Sequence, residues 1–191
     1  MKFKNKVQIE VDNSLIIILV LTILFKEIFI FFYFYFISYL FIIIHEFSHI
    51  LVARIFNIKT NKIYFKLGGM CANIIGYNNK NIVNIIILLA GPISNILFAL
   101  IFINNNYICN INLIFAVLNL VPIKPLDGYN ILSKVINNKH IIRVVYLLSI
   151  VTLFFLNIFY ITKSNNYIFT IILMYILNIY IQNVITIRKN K

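Results

Sequence analysis

The stretch IFIFFYFYFISYLFIIIHEFSHILVA, residues 28 to 53, decides the fold of this chain. Its 26 residues carry a single charged side chain, Glu46. At about 1.5 Å per residue, a helix of this length crosses a hydrocarbon core of about 30 Å. We therefore predict a membrane-spanning helix, in which the pentapeptide HEFSH at 45–49 needs a chemical explanation.

The whole chain has the composition of a multi-pass membrane protein. Of its 191 residues, 62% are hydrophobic and 12% are charged. We expect an all-α membrane protein of about six transmembrane helices, folded as one integral membrane domain over residues 1–191. The first of its apolar runs has no small-residue cleavage site, so we expect a retained span. The runs lie at 15–25, 28–53, 82–103, 107–121, 144–162 and 167–187.

The net charge of +12 comes from basic residues that are scattered through the loops. They form no compact patch and no recognition module, so we expect no nucleic-acid partner. If the N-terminus is cytosolic, fifteen of the seventeen Lys and Arg residues fall in inside loops, as the positive-inside rule requires. We therefore expect a protein of the lipid bilayer with both termini in the cytosol.

Two segments alternate apolar and polar residues in the manner of β-strands. KIYFKL at 62–67 precedes Gly68 and Gly69, which favours a β-hairpin with a Gly-Gly turn. VQIEV at 7–11 alternates in the same way. These segments predict a small sheet at the cytosolic membrane surface, although an irregular basic loop fits the hairpin segment equally well.

The HEFSH pentapeptide has the spacing of a metal site. On a helix His45 and His49 share one face, so both imidazoles can reach one metal ion. Glu46, about 100° around the helix, can reach a water on that metal and act as general base. Zinc would supply the Lewis acid. The alternative is a metal-free cluster of buried polar residues.

A third metal ligand is needed, and NLVPIKPLDG at 119–128 offers Asp127. Pro122 and Pro125 end the preceding helix, and the chain then reaches the inner side of the membrane, where His49 also lies. The Asp-Gly pair could also be a simple turn. His140 is a rival ligand, in a basic loop where a solvated histidine is more usual.

The stretch LAGPISN at 89–95 places a Gly-Pro kink within a predicted span. Gly91 permits close approach of a neighbouring helix, and Pro92 frees a backbone carbonyl. Asn95 could hold a substrate backbone or a developing oxyanion, and Asn119 could also bind substrate. Both asparagines could equally be packing residues that hydrogen-bond across helices.

Three motifs, HEFSH, AGPISN and NLVPIKPLDG, lie in this order on three successive predicted spans, and together they resemble the intramembrane site-2 metalloprotease family. The resemblance covers about residues 40–130. It implies one zinc ion held by His45, His49 and Asp127, with Glu46 as catalytic base and Asn95 positioning the substrate. It also implies a membrane-associated protein substrate, cleaved near the cytosolic face.

The resemblance is greatest to the sporulation branch of that family. For this branch it implies release of pro-sigma factor K, restraint by membrane inhibitor proteins, and a location in the cell membrane or the outer forespore membrane. The chain departs from the pattern in having Tyr129 after Asp-Gly and Ser48 where glycine is frequent. We expect neither a PDZ-like insertion nor a C-terminal CBS domain.

Two other functions use similar residues. A metal-ion transporter, or a non-catalytic membrane metal-binding protein, could employ the same ligands. A transporter should also have polar residues along a path to the outside, and the outer halves of these spans are almost purely apolar. A membrane zincin of the prenyl-protein type would need a later glutamate as ligand, and no glutamate follows Glu46.

Overall fold

The computed structural model describes residues 8–13, 29–66, 69–75 and 81–164. The predicted spans at 15–25 and 167–187 lie outside these residues. The described chain is mainly helical and contains one small sheet. It falls into two compact units, divided between Leu118 and Asn119.

Five helices and three strands make up the described residues. Three of the helices are long and apolar enough to cross a membrane, over Phe32–Ile55, Asn81–Ile101 and Lys139–Leu156. A fourth apolar helix is shorter, so the expectation of six spans stays a prediction. In chain order the elements are β1 (Gln8–Val11), α1 (Phe29–Ile55), β2 (Lys59–Lys66), β3 (Gly69–Ile75), α2 (Asn81–Ile101), α3 (Asn106–Leu120), α4 (Asp127–Val135) and α5 (Lys139–Ser164).

The first unit is built on the contact between α1 and α2. Its buried apolar cluster lies where α1 ends and α2 begins, and it contains Ala53, Ile58, Val83 and Ile87. The opposite faces of both helices expose many large apolar side chains. Such surfaces are unfavourable in water and suit a lipid environment, which supports a membrane protein.

The sheet has the strand order β1-β2-β3. β2 and β3 form an antiparallel hairpin, and β1 pairs with β2 in parallel. The predicted hairpin and the strand near the N-terminus are therefore confirmed. Gly69 pairs with Lys66 and so belongs to β3, not to the predicted Gly-Gly turn. Residues 67 and 68 lie outside the described residues. Both strands of the hairpin contact α1.

One ion pair links the N-terminal strand to the hairpin. Lys62 Nζ donates a hydrogen bond of 3.1 Å to Glu10 Oε1. This hydrogen bond, with the charge of the carboxylate, raises the pKa of Lys62 above its ordinary value. Both side chains are accessible to water, so the pair contributes little to stability beside the backbone pairing of β1 with β2.

Helix α1 ends in a Schellman motif. The N–H of Asn57 donates to Arg54 O at 3.0 Å, and the N–H of Ile58 donates to Ala53 O at 2.9 Å. Asn57 has a φ of 57°, in the left-handed region that asparagine tolerates better than most residues. Ile58 then packs in the same apolar cluster as Ala53, which completes the motif and directs the chain into β2.

We predict that Asn57→Ala lowers the free energy of unfolding by about 1 kcal/mol, because alanine lacks the polar side chain that helps asparagine to tolerate a left-handed backbone. The side chain of Asn57 is exposed, so no buried contact is lost. Asn57→Gly is the matched control and should unfold like the parent. Denaturation in detergent measures both variants, and equal stability of the two would contradict the assigned backbone effect.

Candidate metal centre

The two histidines of HEFSH lie together on α1, one turn apart. His45 is 3% exposed and His49 is 6% exposed. Their Nε2 atoms are 3.2 Å apart, and the ring planes are nearly perpendicular at 85°. The helix periodicity predicted from the sequence therefore brings two potential ligand nitrogens to one point in an apolar interior.

A hydrogen bond from α1 to α2 fixes the chemical form of His49. Its Nδ1 lies 2.7 Å from Ile87 O. Because a carbonyl oxygen only accepts hydrogen bonds, Nδ1 must carry the hydrogen. In the neutral ring Nε2 then carries no hydrogen and presents its lone pair, which is the form of histidine that binds a metal. No pattern in the sequence indicates this carbonyl contact.

Gly91 leaves the space that the two imidazoles occupy. A Cβ atom at this position would overlap Nε2 of both His45 and His49. The sequence alone predicts only that Gly91 permits close approach of a neighbouring helix. Its structural role is more specific, because any side chain at this point of α2 would displace the candidate ligands.

Pro92 follows directly and is buried within α2. It has no N–H, so the Leu88 carbonyl lacks its usual helical donor. The helix nevertheless continues to Ile101. Leu88 is next to Ile87, whose carbonyl accepts the hydrogen bond from His49. The turn that lacks a proline N–H and the histidine contact therefore occupy the same part of α2.

The candidate third ligand, Asp127, is the first residue of α4 and is half-buried. One ligand atom from each of His45, His49 and Asp127 lies within 4.8 Å of the others. This group could hold a metal ion. The rival ligand, His140, is exposed and does not belong to the group.

The position of Asp127 depends on its neighbour Gly128. α3 ends at Leu120, and two turns closed by Ile123 N–H to Val121 O and Leu126 N–H to Ile123 O lead into α4. A Cβ on Gly128 would overlap the backbone carbonyls at 120 and 121. The Asp-Gly pair is thus more than a turn, since glycine lets the start of α4 pack against the end of α3.

The other predicted site residues are less closely defined. Glu46 follows His45 on α1 and is half-buried. Asn95 is 1% exposed and lies on α2 one turn after Gly91. Within the described chain its Nδ2 has no hydrogen-bond partner, which leaves a buried donor available. Asn119 is half-buried near the end of α3, and its predicted substrate contact is not tested by this position.

No protein-family model matches this chain, and no curated protein matches it significantly.

We predict that Gly91→Ala lowers the affinity for a divalent metal about 10- to 100-fold, the usual effect of disturbing groups that orient metal ligands. Alanine is a better helix former than glycine, so weaker binding would not arise from a weaker α2. Ile93→Ala, at an exposed position two residues away, is the control. Competition dialysis with metal analysis gives the affinities, and parental affinity in Gly91→Ala would contradict the role assigned to this glycine.

Proposed function

We propose that this protein is an intramembrane zinc endopeptidase of the site-2 metalloprotease type. The proposal rests on one observation above all, the two buried Nε2 atoms of His45 and His49 at 3.2 Å. Two nitrogens bound at about 2.0–2.1 Å to one tetrahedral zinc lie about 3.3 Å apart. The spacing therefore fits a pair of zinc ligands with little rearrangement.

The donor set also fits zinc. Two imidazoles and one carboxylate, with a fourth position open, are the ligands of catalytic rather than structural zinc sites. The negative charge of Asp127 partly offsets a divalent cation within an apolar region, where an uncompensated charge is costly. Asp127 also begins a helix, whose N-terminal dipole favours the ionised carboxylate.

The proposed reaction is hydrolysis of a peptide bond. Zinc bound at this site would supply Lewis acidity, activating water near neutral pH and polarising the peptide carbonyl. Glu46, adjacent to His45, takes the proton from the attacking water and delivers it to the leaving amine. Asn95 positions the substrate backbone through its buried amide, one helical turn beyond the glycine that admits the imidazoles.

The proposed substrate is a membrane-associated protein that presents an extended segment near the cytosolic face. Peptide bonds within a helix are shielded by its own hydrogen bonds and side chains, so the cleaved segment must first be unwound. Among the strands that the structure describes, β3 lies at an edge of the sheet and contacts α1, which carries HEFSH. An edge strand can pair with an extended peptide.

The same proposal includes the cellular location of the protein, its substrate and its regulation. The protein would act in regulated intramembrane proteolysis in the cell membrane, with both termini in the cytosol. A role in sporulation would make pro-sigma factor K the substrate, in the outer forespore membrane, and membrane inhibitor proteins would restrain cleavage. Support for this branch comes from the three motifs HEFSH, AGPISN and NLVPIKPLDG.

We predict that Glu46→Gln keeps the bound zinc and lowers cleavage of a membrane-tethered substrate by about 10²–10⁴-fold, the usual contribution of a general base. His45→Ala and Asp127→Ala should instead lose the zinc, because each removes a ligand. His140→Ala, at an exposed position outside the group, is the control and should retain both zinc and activity.

Metal analysis and gel-based cleavage of the purified protein distinguish the possible functions. Parental cleavage by Glu46→Gln would contradict the assigned mechanism. Zinc binding by the parent without any cleavage, across membrane-tethered substrates with varied extended segments, would favour a non-catalytic metal-binding protein. Zinc flux through proteoliposomes would favour a metal-ion transporter.

If the substrate pairs with β3 as an added strand, Cys71→Pro and Ala72→Pro should have different effects on cleavage. Successive N–H groups of a strand point to opposite sides. One of the two substitutions therefore removes a hydrogen bond to β2, and the other removes an N–H that points away from β2, where a substrate strand would pair. The variant that keeps the parental thermal stability should bind zinc normally and cleave severalfold more slowly. Parental cleavage by that variant would remove β3 from the mechanism and leave the zinc peptidase intact.

A further inference from the structure

A cavity of about 680 Å³ lies in the second unit, between α4 and α5. It is separate from the residues assigned to the metal centre, none of which line it. Three basic residues line it, namely Lys124, Lys139 and Arg143. All three are exposed, so a ligand can reach them from outside.

The charged residues that line the cavity are all basic. None of its ten lining residues is acidic. Asp127 is the only acidic residue of the chain from Asn119 onwards. Lys124 Nζ lies 4.8 Å from the ring centre of Tyr129, a cation–π contact that holds the ammonium group at the wall. Cations gathered in this way favour an anionic ligand.

The lining changes from polar to apolar along α5. Lys139 and Arg143 are four residues apart and therefore share a face of the helix. Ile142, Tyr146 and Leu147 continue the lining further along. From Lys139 to Leu147 the helix rises about 12 Å. A ligand that follows this wall would place a negative group at the helix start and an apolar group deeper along it.

The start of α5 is also the start of a candidate membrane span, Lys139–Leu156. If this helix crosses the bilayer, its first turn lies among the lipid headgroups and its later turns lie beside the acyl chains. Asn138 Oδ1 accepts a hydrogen bond of 2.9 Å from His140 N, which caps the helix at this point. The polar part of the cavity wall would then lie at the level of the headgroups, and the apolar part beside the acyl chains.

We propose that this cavity binds the headgroup of an anionic phospholipid, such as phosphatidylglycerol, with its phosphate against Lys139 and Arg143. Ser133 and Asn137 supply further hydrogen-bonding groups around the headgroup. Tyr146 and Leu147 contact the glycerol and the upper acyl chains. This apolar wall favours a lipid over free phosphate, and basic pockets at the cytoplasmic side of membrane proteins bind such headgroups.

Native mass spectrometry of the full-length protein in detergent tests the proposal. The probes are phosphatidylglycerol and phosphatidylcholine with identical acyl chains, each titrated separately. The parent should bind one phosphatidylglycerol with at least about tenfold preference over phosphatidylcholine. The double variant Lys139→Gln, Arg143→Gln should lose that preference, and Lys124→Gln alone should reduce it severalfold.

The matched control is Arg54→Gln, Lys59→Gln, which removes the same charge from two exposed residues of the first unit. It should keep the preference of the parent. Equal binding of both lipids by the parent would overturn the proposal without any variant. An equal loss in the control would assign the effect to overall charge, and displacement of the lipid by inorganic phosphate at similar concentration would overturn the lipid assignment.

Discussion

The chemistry proposed for this protein depends on a small space between two apolar helices. Two imidazoles within a membrane-spanning helix are costly unless their polar atoms are satisfied. One turn of α2 accommodates them in two ways, since the Ile87 carbonyl accepts the Nδ1 hydrogen of His49 and Gly91 leaves the space for both Nε2 atoms. The HEFSH motif would be a local irregularity of α1 without this partner turn.

A second feature of the site is that the short connections on either side of it fix where its helices begin and end. The Schellman motif at Asn57 ends α1 just after HEFSH and leads into the hairpin. Asp127 opens α4, where the helix dipole favours its charge, and Gly128 fixes that start against the end of α3. The short connections thus determine where the chemistry of the long helices is located.

The sequence predicted these features unevenly, for physical reasons. Helical spacing and alternation are local, so the i, i+4 pair His45 and His49 and the hairpin of β2 and β3 could be found by pattern. The Ile87 carbonyl and the space at Gly91 depend on which turn of α2 faces α1, which a single sequence does not encode locally. The cavity beside α4 cannot be predicted from the sequence, because its three basic residues are equally typical of loop charges that set membrane orientation. The six-span count and the sporulation branch stay predictions.

The small sheet has a consequence for the path of the chain. Hydrogen-bonded strands cannot lie on opposite faces of a bilayer, because no backbone pairing reaches across the hydrocarbon layer. Val11 pairs with Phe65 in this sheet, so the N-terminal strand and the hairpin share one compartment. Any topology of this chain must therefore keep Val11 and Phe65 on the same side of the membrane, a constraint set by four residues of β-pairing.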